Sequence, residues 1–216
     1  DSGFPKTIAV VPGAFKPPHK GHLDMVRKYA NVADKVIVLI SRPTKSGRKL
    51  PNGKEITAED SLKIWNLLVS ELPNVEVSIS THASPINAAY EHIGEEGPIN
   101  VGDTIMLGAS TKGDDWKRWT GADKYVKDGV NLVSPERSAV NPTKRSNGTP
   151  YSATDFRNAL GGSLEDVAEI ADFVGEENVD GVLNILGLKN VEEMSSMGGG
   201  AVGGYAGPLG YGSAKH

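Results

Sequence analysis

Two histidines stand around a glycine, His19 and His22 about Gly21, within the run Gly13-Ala14-Phe15-Lys16-Pro17-Pro18-His19-Lys20-Gly21-His22. Imidazoles at this spacing can both donate to phosphate oxygens, and Gly21 lets the backbone come close to a ligand. The run lies between a β-branched stretch and an amphipathic one. It therefore falls at the start of a helix, where unpaired N–H groups and a partial positive charge favour anions. As residues alone, the histidines also suit plain loop or capping roles. A metal site fits less well, because HxGH lacks the i, i+4 spacing that places two histidines on one helix face. His82, His92 and His216 supply no obvious third ligand.

A second group follows near the end of the same pattern, Tyr151-Ser152-Ala153-Thr154-Asp155-Phe156-Arg157. Ser152 and Thr154 offer hydroxyls, a helix start offers backbone N–H groups, and Arg157 projects one turn in as a phosphate clamp. Read alone, Ser152 is an ordinary N-cap and Arg157 a surface charge. Between the two groups, residues 42 to 54 carry Arg42, Lys45, Arg48, Lys49 and Lys54 with no acid before Lys54. Trp116 and Trp119, with Lys117 and Arg118 between them, offer either a stacking face for a base or two core side chains.

The elements that must position these residues alternate in type. Thr7 to Pro12 and Lys35 to Ser41 are apolar runs of the kind buried on both faces of a parallel sheet. Val75 to Ser80, Thr104 to Leu107 and Val130 to Val133 read as three further strands. Helices are expected over Gly21 to Ala33, from Thr57 with Asp60 completing a capping box, and from Ser84-Pro85 through Ile93. Another starts at Ser152. Strands alternating with helices predict a doubly wound α/β fold, with a mostly parallel five-stranded sheet whose ligand lies beyond the carboxyl ends of the strands. Ser163-Leu164-Glu165-Asp166 caps one more helix and Asn178 to Leu188 forms another, giving a small C-terminal helical region.

Composition excludes several classes. Lys plus Arg total 23 and Asp plus Glu 27, so the net charge of −4 argues against a nucleic-acid-wrapping protein, and any anion site is local. The nine acids between residues 158 and 193 strengthen that exclusion. There is no cysteine, which removes disulfides, thiolate ligands and thiol nucleophiles together. No apolar run reaches membrane-spanning length. The opening DSGFPK lacks the basic and apolar regions of a secretory signal, so a cytoplasmic address is the expectation. Residues 198 to 216 hold eight glycines and little aliphatic pattern, which reads as a flexible tail. The GxGxxG within it has neither the preceding strand nor the following helix of a dinucleotide site. Asn147-Gly148-Thr149 reads as a turn rather than a glycosylated sequon, in a loop from Ser134 to Pro150 whose Arg137, Lys144 and Arg145 could close over a polyanion.

The GAFKPPHKGH stretch resembles the (H/T)xGH signature of the nucleotidyltransferase α/β phosphodiesterase superfamily, in particular the branch with a G-x-F-x-P-x-H-x-G-H opening found in mononucleotide adenylyltransferases. Tyr151 to Arg157 resembles the same superfamily's ISSTxxR signature, and the two stand in the family's order. The resemblance covers roughly residues 7 to 160. It implies a Rossmann-like nucleotidyltransferase domain over residues 1–161 and leaves the helical region at 162–197 and the tail at 198–216 unaccounted for. It further implies that the α-phosphate of a nucleoside triphosphate is attacked by a phosphate or hydroxyl of a small acceptor, with release of pyrophosphate. AMP is favoured over CMP as the group transferred, and Mg²⁺ accompanies the triphosphate.

In that reading His19 and His22 donate to the triphosphate, Lys16 adds a cation, and Gly13, Ala14, Phe15 and Gly21 form the backbone wall. Ser152, Thr154 and Arg157 hold the outer phosphates, and Arg42, Lys45, Trp116 and Trp119 face the acceptor or base. Two positions depart from the family pattern: Lys16 stands where Asp is frequent, and Ser110 where Gly-Ala-Asp is frequent. The contrasting reading is a non-catalytic nucleotide-binding or assembly protein docking through its tail, and a homo-oligomer is left open.

Overall fold

The computed structural model describes residues 3–42, 47–161 and 167–188. Its elements run β1 (Thr7–Gly13), α1 (Lys20–Val32), β2 (Lys35–Ile40), α2 (Ala58–Leu68), β3 (Val75–Ile79), α3 (Pro85–Ile93), β4 (Thr104–Leu107) and β5 (Asn131–Leu132). Four helices follow: α4 (Pro135–Ser138), α5 (Ala153–Leu160), α6 (Val167–Val174) and α7 (Val179–Ile185). The five strands form one sheet in the order β3-β2-β1-β4-β5, with every pairing parallel.

Alternation along the central strands divides the interior in two. Ala9, Val11, Val36, Val38 and Ile40 face α1, α2, α5 and the C-terminal helices, whereas Ile8, Val10, Ile37 and Leu39 face α3 and the segment after β4. Strands buried on both sides read as continuous apolar runs, which is why β1 and β2 stand out in the sequence. The C-terminal helical region shares the first of these cores through Ile170, Phe173, Val182 and Leu183, and the Phe173 ring stacks on Phe156 at 4.8 Å.

Local signals explain the helix starts. The Thr57 side chain accepts from Asp60 N–H at 3.0 Å while the Asp60 carboxylate accepts from Thr57 N–H at 3.1 Å, so the capping box forms as the sequence predicts. Ser84 caps α3 ahead of Pro85, and Ser152 caps α5. The last strand is shorter than expected, Asn131–Leu132 in place of Val130 to Val133. At this edge of the sheet only β4 is available to pair, through Thr104↔Asn131 and Ile105↔Leu132. The tryptophan segment folds into 3-10 turns at Lys112–Trp119 and Ala122–Lys124. Asn147–Thr149 is a turn, with Gly148 at φ 83° and Arg145 N–H bonded to Thr149 C=O at 2.7 Å. The Ser163–Asp166 cap and the tail lie outside the described residues, as does the dinucleotide-like run. Among the described residues no helix is long and apolar enough to cross a membrane.

The strand order reverses between β1, which leads outward to β2, and β4 on its other side. Loops leaving the carboxyl ends of β1 and β4 therefore diverge there and open a crevice. Tyr29 of α1 ties the β4 side of it: its hydroxyl accepts from Ala109 N–H at 3.1 Å and donates to Ser138 C=O at 2.6 Å.

Candidate active site

His19 is the N-cap of α1, in extended backbone. Its Nδ1 accepts from Gly21 N–H at 3.1 Å, and Nδ1 of His22 accepts from His19 N–H at 3.2 Å. With Nδ1 an acceptor in both rings, the neutral imidazoles carry their hydrogen on Nε2. The capping role and the donor role use opposite nitrogens of the same rings. The rings stack at 3.8 Å, Tyr151 stacks on His19 at 5.6 Å, and Phe15 meets His22 edge-on at 5.0 Å. Burial pulls the His22 pKa down to about 4. Burial and, after it, the neighbouring His22 hold His19 well below the ordinary histidine value. Both rings are thus uncharged at neutral pH, and each offers one Nε2–H.

Glycines fix the closeness of this packing. A Cβ on Gly21 would lie 2.8 Å from Cβ of Tyr151 and 2.9 Å from Cε1 of His19, and one on Gly13 would lie 2.7 Å from the Phe15 ring. Phe15 itself takes a positive φ of 51°, and its carbonyl accepts from Ser61 Oγ at 2.5 Å. Ala14 is partly buried beside it.

Arg157 joins the second signature to the first. Its Nη1 donates to Lys16 C=O at 2.7 Å and its Nη2 to Thr154 Oγ1 at 3.1 Å, while Ser152 Oγ accepts from Asp155 N–H at 3.1 Å. The Lys16 side chain turns elsewhere. It is buried, and its Nζ donates to Ile56 C=O at 2.7 Å, tying the loop after β1 to the entry of α2. Burial lowers its pKa against the opposing pull of Glu55, Asp60 and Glu59.

A cavity of about 310 Å³ opens beside these groups, lined by His19, Gly21, His22, Ser110, Tyr151 and Ser152. Met25, Lys112, Asn141 and Thr143 are among the lining residues that the sequence leaves unassigned. Met25 stands three residues after His22 on α1, so helical spacing alone puts it on the same face. Asn141 and Thr143 come from an aperiodic loop and are placed by tertiary bonds: Thr111 Oγ1 to Asn141 Oδ1 at 2.7 Å and Thr143 Oγ1 to Asp24 Oδ2 at 2.7 Å.

The helical region supports the cavity rather than standing apart. Tyr151 Oη donates to Asp172 C=O at 3.2 Å, and Arg145 pairs with the Asp172 carboxylate at 2.9 Å while lying 4.2 Å over the Phe173 ring. Burial alone would raise the Asp172 pKa, but hydrogen bonds from Arg145 and Ser146 outweigh it and lower it. Arg145 is therefore committed to a structural pair.

Other expected residues lie apart. Arg42 is exposed and paired with Glu59. Trp119 corrects the expectation of a stacking face: it is wholly buried, its Nε1 donates to Gly108 C=O at 3.0 Å, and Arg118 covers its ring at 5.0 Å. Trp116 is half-buried at a second cavity of about 310 Å³ that shares no lining residue with the first. Lys45 lies outside the described residues. Among the described residues no group of three or more His, Asp or Glu side chains converges as a metal site.

A family model described as cytidylyltransferase-like matches residues 10–159. The phosphopantetheine adenylyltransferase of Aquifex aeolicus is 40% identical over 70 residues, which cover 32% of this chain and 40% of that protein. The enzyme of the same name from Leuconostoc mesenteroides is 34% identical over 73 residues, covering 34% and 41%. The chain thus matches about two fifths of the length of these curated relatives. Among solved structures, a bifunctional NMN adenylyltransferase/ADP ribose pyrophosphatase from Francisella tularensis, complexed with AMP and a Mn ion, superposes with a TM-score of 0.52 at 12% identity, covering 90% of this chain and 53% of that one. The Plasmodium falciparum nicotinic acid mononucleotide adenylyltransferase complexed with APC gives 0.51 at 14% identity, covering 83% and 95%. These two likenesses concern the fold. With the family model spanning both the histidine loop and the start of α5, the chain belongs to the cytidylyltransferase-like family of nucleotidyltransferases.

Proposed function

We propose that the protein transfers a nucleoside monophosphate, AMP in preference to CMP, from a nucleoside triphosphate to a phosphate- or hydroxyl-bearing small acceptor, releasing pyrophosphate. One observation carries the reading: His19 and His22 spend Nδ1 on backbone amides and keep Nε2–H without a hydrogen-bond partner among the described residues, at a cavity they share with Ser152, the cap of α5. The names of the two curated relatives given above, both adenylyltransferases, support AMP over CMP.

In this account an acceptor oxygen attacks the α-phosphorus, the bond to the bridging oxygen breaks, and pyrophosphate leaves with the electron pair. Charge grows on phosphate oxygens during that step. Neutral Nε2–H donors held in place by the Nδ1 bonds of the same rings meet it without reorganising. The triphosphate brings Mg²⁺ with it, and the Mn ion named with the Francisella structure supports a divalent ion in such chemistry. Gly13, Ala14 and Phe15 give the backbone wall, and Ser152, Thr154 and Arg157 receive the outer phosphates at the start of α5. Lys16 acts by positioning, since its carbonyl holds Arg157 and its ammonium holds Ile56. Residues 1–161 form the transferring unit, and α6 backs it through Tyr151.

The test is pyrophosphate release with Mg²⁺, using ATP and CTP against mononucleotide, phosphopantetheine, phosphosugar and phospho-alcohol acceptors. Acceptor-dependent release, faster with ATP, is expected. Silence across the panel from a chain that binds nucleotide would contradict the proposal.

A further inference from the structure

The hydrogen bond from Gly21 N–H anchors only Nδ1 of His19. Histidine χ2 is a broad torsion, so one bond leaves the imidazole plane room to turn, and any turn carries Nε2 with it. Packing fixes the plane. His19 is buried, with the His22 ring 3.8 Å away at an interplanar angle of 20° and the Tyr151 ring 5.6 Å away at 19°. Both neighbours thus lie nearly parallel to it.

Tyr151 is held in turn by α6, which lies beyond residue 159, where the family match ends. Its Oη donates to Asp172 C=O at 3.2 Å, and the buried Phe173 ring meets it edge-on at 6.1 Å and His19 at 6.5 Å. Burial, and after it the charges of Asp172 and Asp24, raise the Tyr151 pKa, so the hydroxyl keeps the proton it donates. The chain leading into Tyr151 is fastened to the same helix. Arg145 Nε and Ser146 Oγ bond to the Asp172 carboxylate at 2.9 and 2.8 Å, and the turn beyond them closes through Arg145 N–H to Thr149 C=O and a Lys144–Pro150 bridge. Helix α6 therefore grips both the hydroxyl end of the Tyr151 side chain and the backbone before it. The ISSTxxR signature has isoleucine where this chain has Tyr151, so the ring contact with His19 is not carried by the signature.

We propose that Tyr151 is a positioning residue for His19: seated on α6, its ring holds the imidazole plane so that Nε2–H meets the phosphate oxygen on which charge grows during transfer. The inference rests on the nucleotidyltransferase reading and adds to it a working part for a helix outside the matched domain. A donor displaced by about 1 Å forfeits much of its effect, on the order of 100-fold in rate, so a ring that prevents such displacement acts on turnover. Tyr151 also lines the cavity. A loss that runs through His19 therefore has to be told apart from one caused by direct contact with the nucleotide, and a double-variant cycle does this.

The cycle measures kcat for pyrophosphate release by the full chain with ATP and Mg²⁺, for Tyr151→Ile and Tyr151→Met in the native and His19→Asn backgrounds. Two replacements without a ring are used so that the result does not depend on one of them folding. In the native background each is expected to lower kcat about tenfold, with KM for ATP within about threefold. In the His19→Asn background the same changes are expected to cost less than about twofold. Tyr151→Phe keeps the ring and loses only the bond to Asp172 C=O, so it retains kcat within about threefold of native. Tyr125→Leu, at an exposed tyrosine stacked on Tyr90 away from the cavity, leaves kcat unchanged. Equal losses in the two backgrounds would overturn the proposal, because Tyr151 would then act without His19. Native kcat in the ringless variants would overturn it too, as would Tyr151→Phe falling as far as they do. A native chain that releases no pyrophosphate with any acceptor would instead overturn the nucleotidyltransferase reading itself, and this inference with it.

Discussion

Arg157 donates to the backbone carbonyl of Lys16 across 2.7 Å, and through that bond the start of α5 is fixed to the loop that carries both histidines. Neither partner's role requires the Lys16 side chain to touch a ligand. The bond brings together two groups that stand far apart in the chain.

Arg157→Lys keeps the charge but cannot serve Lys16 C=O, Thr154 Oγ1 and a phosphate with one planar fork. Its kcat/KM for ATP in pyrophosphate release is expected to fall about 100-fold, with a melting temperature within a few degrees of native. A loss below about threefold would show that charge alone suffices at this position.

Protonation of the histidines sets a stability profile. The folded His22 pKa of about 4 lies below the value near 6.5 of an unfolded histidine, so between these the unfolded chain binds more protons. Stability is therefore full above about pH 6.5, declines as pH falls toward about 4, and levels off below it, with His22 contributing on the order of 3 kcal/mol. His19, also lowered, adds in the same direction. His22→Asn retains an oxygen to accept His19 N–H but no longer titrates, so urea denaturation at pH 7 and pH 4.5 is expected to show a smaller difference for the variant. Equal differences would mean that the His22 pKa is the same in the folded and unfolded chains.

The two tryptophans are expected to separate cleanly. Trp119→Ala empties a wholly buried site and leaves Gly108 C=O without the indole donor, costing about 3–5 kcal/mol in denaturant unfolding. Trp116→Ala, at a half-buried position, costs about 1 kcal/mol. Similar costs for both would contradict the assignment of Trp119 to the core.

Much of this was legible in the chain because it is written in local patterns. The β1 and β2 runs, the Thr57/Asp60 box, the Ser84-Pro85 start and the Ser152 cap each depend on residues within a few positions of one another. The placement of His19, Gly21 and His22 at a helix start is legible for the same reason. What was not legible depends on distant partners. The burial of Lys16 follows from a carbonyl at Ile56, the burial of Trp119 from Gly108, and the presence of Asn141 and Thr143 in the cavity from bonds to Thr111 and Asp24. Arg145 reads as a free cation in a loop until α6 brings Asp172 to it. The Nδ1 bonds of the two histidines lie between these cases: the residues are adjacent, but only the geometry assigns one nitrogen to the cap and the other to the cavity.

The most direct measurement is pyrophosphate release by His19→Asn beside the native chain, with ATP, Mg²⁺ and the acceptor that the panel identifies. Asparagine is among the best N-caps and keeps an oxygen where Nδ1 accepts Gly21 N–H, so α1 retains its start, while the Nε2–H donor is lost. The account predicts a native-like circular dichroism spectrum with kcat reduced about 100-fold or more. Activity at the native level in a correctly folded His19→Asn protein would contradict it, because His19 would then serve the helix alone.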